Sequence, residues 1–339
     1  MTRKKVVRAA SLLQKFLYAL EAAGSNRQVK SLTVTQGITR LEEVPQDELS
    51  FRGEPLLHDF TRASAPSQAA YHGTLTANAC TEVVIAGRPL LELLIGPFCT
   101  RMEMITVIPK NGVNPLLVVN ENSATTNDSY LMFGAHNVLR LTTTSGESLL
   151  LDVSGAQFGW QEAIAPWDKW CSHRALVVDY STTHPVSDQL ENMQRMFAGP
   201  QIIQGEDMRR SLAASITELV EREAVQRNLP SAAALFGLAP AAYDAFEQSV
   251  VPTAQRACLA VVHAIRPSGR QLWYFDQEWT RRLTRSQDEA DALRYVWLTQ
   301  ADIDSAQGDP AALRNIWAMR CRKPEQQEWF KALGMAMHF

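Results

Sequence analysis

What this chain lacks narrows its chemistry. Its five cysteines, Cys80, Cys99, Cys171, Cys258 and Cys321, are widely separated, and none forms a C-x-x-C pair. An odd count argues against a complete disulfide framework, and the missing pairs argue against a zinc site. Free, mostly buried thiols in a reducing compartment are the expectation. Glycine loops that cradle phosphate are missing as well: neither G-x-x-x-x-G-K nor G-x-G-x-x-G occurs, so no cofactor is expected. No run of about 18 apolar residues exists, which predicts no transmembrane helix and no membrane partner. The charges nearly balance, 33 basic against 36 acidic, so no global field favours nucleic acid. The start Met1-Thr2-Arg3-Lys4-Lys5 is basic, but residues 9–23 carry Gln14, Lys15 and Glu21 in an amphipathic helical pattern. A signal peptide would show a continuous apolar stretch there, so the reading is a first helix in a cytoplasmic protein.

What is present concentrates in one stretch. His136-Asn137-Val138-Leu139-Arg140-Leu141-Thr142 leads to a turn around Thr144-Ser145-Gly146-Glu147, and Ser148-Leu149-Leu150-Leu151-Asp152-Val153 follows. Arms rich in leucine and β-branched residues, joined through Ser-Gly, read as a β-hairpin. A turn centred near Thr144 sets His136 opposite Asp152. Side chains alternate faces with period two. His136, Val138, Leu150 and Asp152 then share one face, and Leu139, Leu141, Leu149, Leu151 and Val153 turn into the core. A carboxylate beside an imidazole fixes its tautomer and stabilises its charge, as the orienting member of a nucleophile–base–orienter triad does. A surface pair on an edge strand is the alternative.

A nucleophile should lie upstream. Cys80 sits in Asn78-Ala79-Cys80-Thr81-Glu82-Val83-Val84, where the polar approach Tyr71-His72-Gly73-Thr74-Leu75-Thr76 gives way to an apolar run. That pattern predicts a helix start, where the dipole and free N–H groups stabilise a thiolate. Pro89 should break or kink this helix near Arg88. Cys99 is the rival, but it follows Gly96-Pro97-Phe98 and directly precedes a strand, with no helix N-terminus to activate it. Cys171-Ser172-His173 looks like a ligand pair yet has no second cluster to complete a metal site.

In this order the pieces resemble the transglutaminase-like superfamily, whose relatives include arylamine N-acetyltransferases and papain-fold enzymes. The resemblance rests on Cys80 opening a helix, the strand-like runs Arg101–Ile108 and Pro115–Asn120, and the hairpin carrying His136 and Asp152. Cys80-x-Glu82 is similar to the Cys-x-Glu of the acetyltransferases, and Asp152-Val153 ahead of Gly155 and Gly159 to their Asp-Val-Gly segment. The run Asp152–Gly159 is also similar to segments of fungal proteins. The likeness spans roughly residues 70–165, under a third of the chain. It departs in two places. Thr76-Ala77-Asn78-Ala79 stands where Arg-Gly-Gly precedes an acetyltransferase cysteine, and the 56 positions from Cys80 to His136 need an inserted loop, which Asn120–Asp128 supplies. The resemblance implies an α+β fold: a helix carrying cysteine packed on an antiparallel sheet carrying histidine and aspartate, with a mainly helical C-terminal part. It implies Cys80 as nucleophile, His136 as base and Asp152 as orienter.

The organisation expected is an N-terminal helix and extended segment over 1–65, a catalytic core over 66–185 and a helical region over 186–339. Ser211 to Arg227 has the i, i+3, i+4 apolar spacing of a helix, and Pro240 and Pro252 stand at first-turn positions. The activity expected is cysteine-dependent acyl transfer, forming an amide through a Cys80 thioester in biosynthesis. The partners are an acyl donor (a thioester, a peptide or an aminoacyl-tRNA) and an amine acceptor. Alternatives are a tRNA-dependent dipeptide or cyclodipeptide synthase, a thiol hydrolase, and a non-catalytic interaction protein. The tRNA reading draws on Arg281-Arg282-Leu283-Thr284-Arg285 and Arg320-Cys321-Arg322-Lys323, which equally fit solvated helix faces. Gln157, Phe158 and Trp160 either line a substrate cleft or pack at a strand end.

Overall fold

The computed structural model describes residues 2–24, 29–35, 38–43, 60, 62–77, 79–80, 84, 87–110, 116–120, 128–131, 135–185, 200–265 and 305. They form an α+β structure. The first helix, α1 (Thr2–Ala23), is buried on nearly every side, Gln14 and Glu21 included. The amphipathic reading holds along a narrow stripe through Lys4, Ser11 and Lys15, whereas Gln14 and Glu21 turn to the interior. Glu21 is tolerated there because Arg209 meets it with two hydrogen bonds of 3.1 and 3.3 Å. A buried carboxylate left without such a partner would cost several kcal/mol.

Residues expected to be weakly patterned form two strands, β1 (Val29–Thr35) and β2 (Ile38–Glu43). With β4 (Leu116–Asn120) and β5 (Asp128–Leu131) they build a sheet ordered β1-β2-β4-β5, in which β2 and β4 run parallel and the other pairs antiparallel. Leu32, Leu41 and Leu116 of this sheet cluster with Tyr18 and Phe60. The approach to Cys80 is also ordered. It is a helix, α2 (Gln68–Leu75), capped by the Ser67 hydroxyl, which accepts from the Ala70 N–H at 3.1 Å. Gly87 precedes α3 (Arg88–Leu94), and Pro89 stands in the first turn, where its missing N–H costs nothing. The expected break thus falls where Pro89 put it.

The sheet that carries the hairpin is fully antiparallel and ordered β8-β7-β6-β3-β9. Its strands are β3 (Cys99–Pro109), β6 (His136–Thr143), β7 (Ser148–Leu151), β8 (Ile164–Pro166) and β9 (Ala175–Pro185). Both faces are covered. Leu139, Leu141, Leu149, Leu151 and Val153 pack against α1, α3, α5 (Pro200–Gln226) and α6 (Pro240–Ile265) in one cluster. Ile105, Val107, Val138 and Leu150 pack on the other face against Phe158, Trp160 and the short helix α4 (Trp167–Arg174), which brings Trp167 and Trp170. One core cluster therefore draws residues from each of the three segments read in the sequence.

Pro252 corrects another expectation. It lies inside α6 rather than at a helix start. Tyr243, Phe246, Val250, Ala254, Cys258 and Val262 are all buried along one stripe of that helix. Their burial outweighs the one backbone hydrogen bond that proline removes. Both arginine clusters and Cys321 lie outside the described residues, as do Asn78 and Glu82. No helix among the described residues is long and apolar enough to cross a membrane.

Candidate active site

The hairpin closes one residue later than its sequence suggests. The loop is Thr144-Ser145-Gly146, held by Thr143 N–H to the Glu147 carbonyl and Gly146 N–H to the Thr143 carbonyl, both at 2.9 Å. Gly146 adopts φ +81°, the left-handed conformation that a three-residue hairpin loop requires at its last position. The ladder pairs Leu139 with Leu151 and Leu141 with Leu149. Continued outward, this register sets Asp152 opposite Val138 and diagonal to His136. Moving the turn centre by one residue shifts each partner by two, which preserves the face. The two side chains therefore meet: His136 Nε2 lies 2.9 Å from Asp152 Oδ1.

The pair is not on an exposed edge. His136 is 0% and Asp152 1% exposed. His136 opens the central strand β6 opposite Val107 of β3, and its ring meets Phe158 edge-to-face at 4.9 Å and 71°. Asp152 follows the last residue of β7, and its backbone N–H donates to the Ala163 carbonyl at 2.8 Å. Burial by itself would hold the imidazole neutral. The charge and hydrogen bond of Asp152, with a contribution from Cys80, overcome it and raise His136 to about 10. An imidazolium–carboxylate pair thus sits in a water-poor layer of aromatic rings.

Cys80 reaches this pair. Its backbone is helical, it is half-buried, and its thiol hydrogen-bonds the His136 side chain. The helix α2 delivers the cysteine: Thr76 caps it, and the Ala79 N–H donates to the Thr76 carbonyl at 3.1 Å. All three residues singled out in the sequence are brought together. Cys80 is the most exposed of them, so a reactant approaches from the sulfur side.

The other thiols are elsewhere. Cys99 pairs with Thr143, seven residues along β6 from His136, which is about 23 Å at roughly 3.3 Å per residue. Burial pushes Cys99 up to about 11 and Cys258 up to about 12, and Cys171 rises to about 11 through burial and the nearby Asp168. A raised pKa keeps these three thiols protonated and weakly nucleophilic near neutral pH. His173, beside Cys171, shares its Nδ1 with the Lys169 carbonyl at 2.7 Å and the Ser172 hydroxyl at 3.0 Å. No group of three or more metal-capable side chains occurs among the described residues.

Residues after Asp152 build the wall of the site. The turn Gly155–Phe158 ends at Gly159, whose φ of +82° needs a residue without Cβ. Gln157 is buried, with Nε2 3.5 Å from His136 Nδ1 and donating to the Ser154 carbonyl at 3.2 Å. Phe158 and Trp160 stack at 5.0 Å, and Trp160 meets Trp170 edge-on at 5.5 Å. Of the two readings of this segment, Phe158 and Trp160 follow the packing one, while Gln157 faces the histidine. An open cleft of about 540 Å³, lined by Trp160, Trp170, Lys169 and Arg174, lies beyond this aromatic layer and not against the cysteine.

Tyr18 of α1 is a neighbour that the sequence did not point to. Its ring stacks on His72 at 4.1 Å, and burial followed by the charge of Asp152 raises its phenol. A tyrosine amid the apolar run of a helix carries no local signal of nearness to residue 152. Comparison with family models, with curated proteins and with solved structures gave no match.

Proposed function

We propose that this protein is a cysteine acyltransferase with a transglutaminase-like core, acting through a thioester on Cys80. The observation that carries this reading is the contiguous chain Cys80–His136–Asp152, with the histidine buried and 2.9 Å from the carboxylate that favours its charged form. The proton of the thiol resides on His136, held there by Asp152, so the sulfur attacks as thiolate. In the first step Sγ bonds to the carbonyl carbon of an acyl donor, the bond to the leaving group breaks, and His136 passes its proton to that group. In the second step an amine attacks the thioester, His136 takes the amine proton, and the C–S bond breaks to restore the thiolate. Asp152 holds the ring and balances its charge throughout. The backbone N–H of Cys80 is the donor best placed for the oxyanion.

The acceptor decides the outcome: an amine gives an amide and water gives the acid. His136 and Asp152 are buried and Cys80 is half-buried, so the acceptor reaches the thioester from the sulfur side. Intact-mass spectrometry after incubation with an activated aryl ester, and then with an aryl amine, tests the reading. The expected result is one acyl group on Cys80 that the amine removes. No adduct on Cys80, or equal labelling of Cys80→Ala, overturns it.

A further inference from the structure

We infer that Gly155 is a positioning residue for the buried pair: the absent side chain at 155 is the space that the Asp152 carboxylate occupies. A Cβ built on Gly155 would lie 2.5 Å from Asp152 Oδ2, 2.9 Å from its Cγ and 3.2 Å from Oδ1. Side chains do not tolerate approaches of 2.5 Å. Neither partner can step back. Oδ1 is bonded to His136 at 2.9 Å, and the Asp152 N–H is bonded to Ala163. Gly155 is held as well: its carbonyl accepts from the Trp160 N–H at 3.0 Å. The turn it begins is pressed from behind by α2, where a Cβ on Gly73 would meet the Ala156 carbonyl at 3.1 Å.

The slot sets geometry and dryness together. Oδ2 is buried without a hydrogen-bond partner among the described residues, and so is the neighbouring Ser154 hydroxyl. With no donor on Oδ2 among the described residues, the hydrogen bond of the carboxylate goes to His136. Glycine at 155 lets the backbone close over Oδ2 without offering such a donor. A methyl group there must drive the carboxylate off the imidazole line, and the pair loses its 2.9 Å bond. In the enzyme this would withdraw the orienter while leaving every triad residue in place.

The functional part of this inference rests on the acyltransferase reading, so the test has two arms. The first is a stability cycle that needs no activity. Gly155→Ala should lower the melting temperature by at least roughly 2–4 °C, a loss of about 1 kcal/mol or more. The same substitution in an Asp152→Ala background, where the carboxylate is gone, should cost far less. Equal losses in both backgrounds, or two unfolded proteins, overturn the inference. An unfolded Gly155→Ala beside a folded double variant supports it. The second arm is the pH profile of Cys80 alkylation by iodoacetamide. Folded Gly155→Ala should lose at least about tenfold in rate below neutral pH, where an unpaired thiol is protonated. Gly96→Ala, at a position with open space around it, should keep the native profile. A native profile in folded Gly155→Ala overturns the positioning role. A wild-type protein with no low-pH reactivity at Cys80 counts against the acyltransferase reading instead, and leaves the stability cycle to decide on Gly155.

Discussion

The two faces of the β8-β7-β6-β3-β9 sheet are built from alternate residues of the same strands and do different work. On the helix-covered face, Leu139, Leu141, Leu149 and Leu151 join an apolar cluster to which four helices contribute. On the aromatic face, Val138 and Leu150 begin the same way, but His136 and Asp152 end it with an ion pair amid Phe158, Trp160, Trp167 and Trp170. The first face stabilises at roughly 25 cal/mol per Å² of apolar surface removed from water. The second gives up part of that gain to keep two charges dry, a cost that an apolar pair of equal volume would avoid. A site that spends stability in this manner has the makings of a functional one.

The largest effect should come from breaking the chemistry of the aromatic face while leaving its volume. Cys80→Ala should abolish acyl-enzyme formation, and Asp152→Asn should slow it by on the order of 10³–10⁴, judging from the loss of orienting carboxylates in other triads. Circular dichroism should show both folded. Rapid acylation in folded Asp152→Asn would remove that residue from the mechanism.

Breaking the helix-covered face should do the reverse. Leu141→Ala should lower unfolding free energy by about 2–5 kcal/mol in a denaturant titration. The Cys80 alkylation rate of the remaining folded molecules should not change. A loss of reactivity in step with stability would mean that the two faces are not separable.

Labelling among the thiols sharpens the contrast at a smaller scale. Cys80 should alkylate ahead of Cys99, Cys171 and Cys258 near neutral pH, since those three are raised to about 11, 11 and 12. Residue-resolved mass spectrometry reads the order, and Cys99 labelling first would unseat the nucleophile assignment.

The charge of the buried pair should also show in pH-dependent stability. His136 is raised from 6.5 to about 10 in the folded state, so the folded protein holds a proton that the unfolded chain releases. Its contribution is complete below about pH 6.5 and is lost as pH rises through about 10. Unfolding free energy should therefore fall across that alkaline window, and His136→Gln should flatten the decline. An unchanged slope in that variant would mean that the histidine is neutral when folded.

Much of this site was legible from local order. Period-two alternation decided that His136 and Asp152 share a face, and it survived a turn centred on Ser145 rather than Thr144 because parity is insensitive to that shift. Pro89 placed the start of α3, since a residue without an N–H costs nothing in a first turn. The five leucine and valine positions of the opposite face followed from the same alternation. Polar residues misled. Gln14 and Glu21 looked like a solvent face, because what makes Glu21 an interior residue is a partner far along the chain, Arg209.

What only the tertiary structure decided is everything that depends on contacts remote in sequence. The thiol of Cys80 meets an imidazole 56 positions later because α2 ends against the turn that follows Asp152. The charge on His136 depends on burial and on a carboxylate acting in opposite senses, and no local pattern states which one wins. The fit of Asp152 into the space at Gly155 is a matter of tenths of an ångström set by hydrogen bonds to Ala163 and Trp160. Sequence periodicity determines which way a side chain points. How deeply it is buried, and what charge it then carries, is fixed by the layers that close over it.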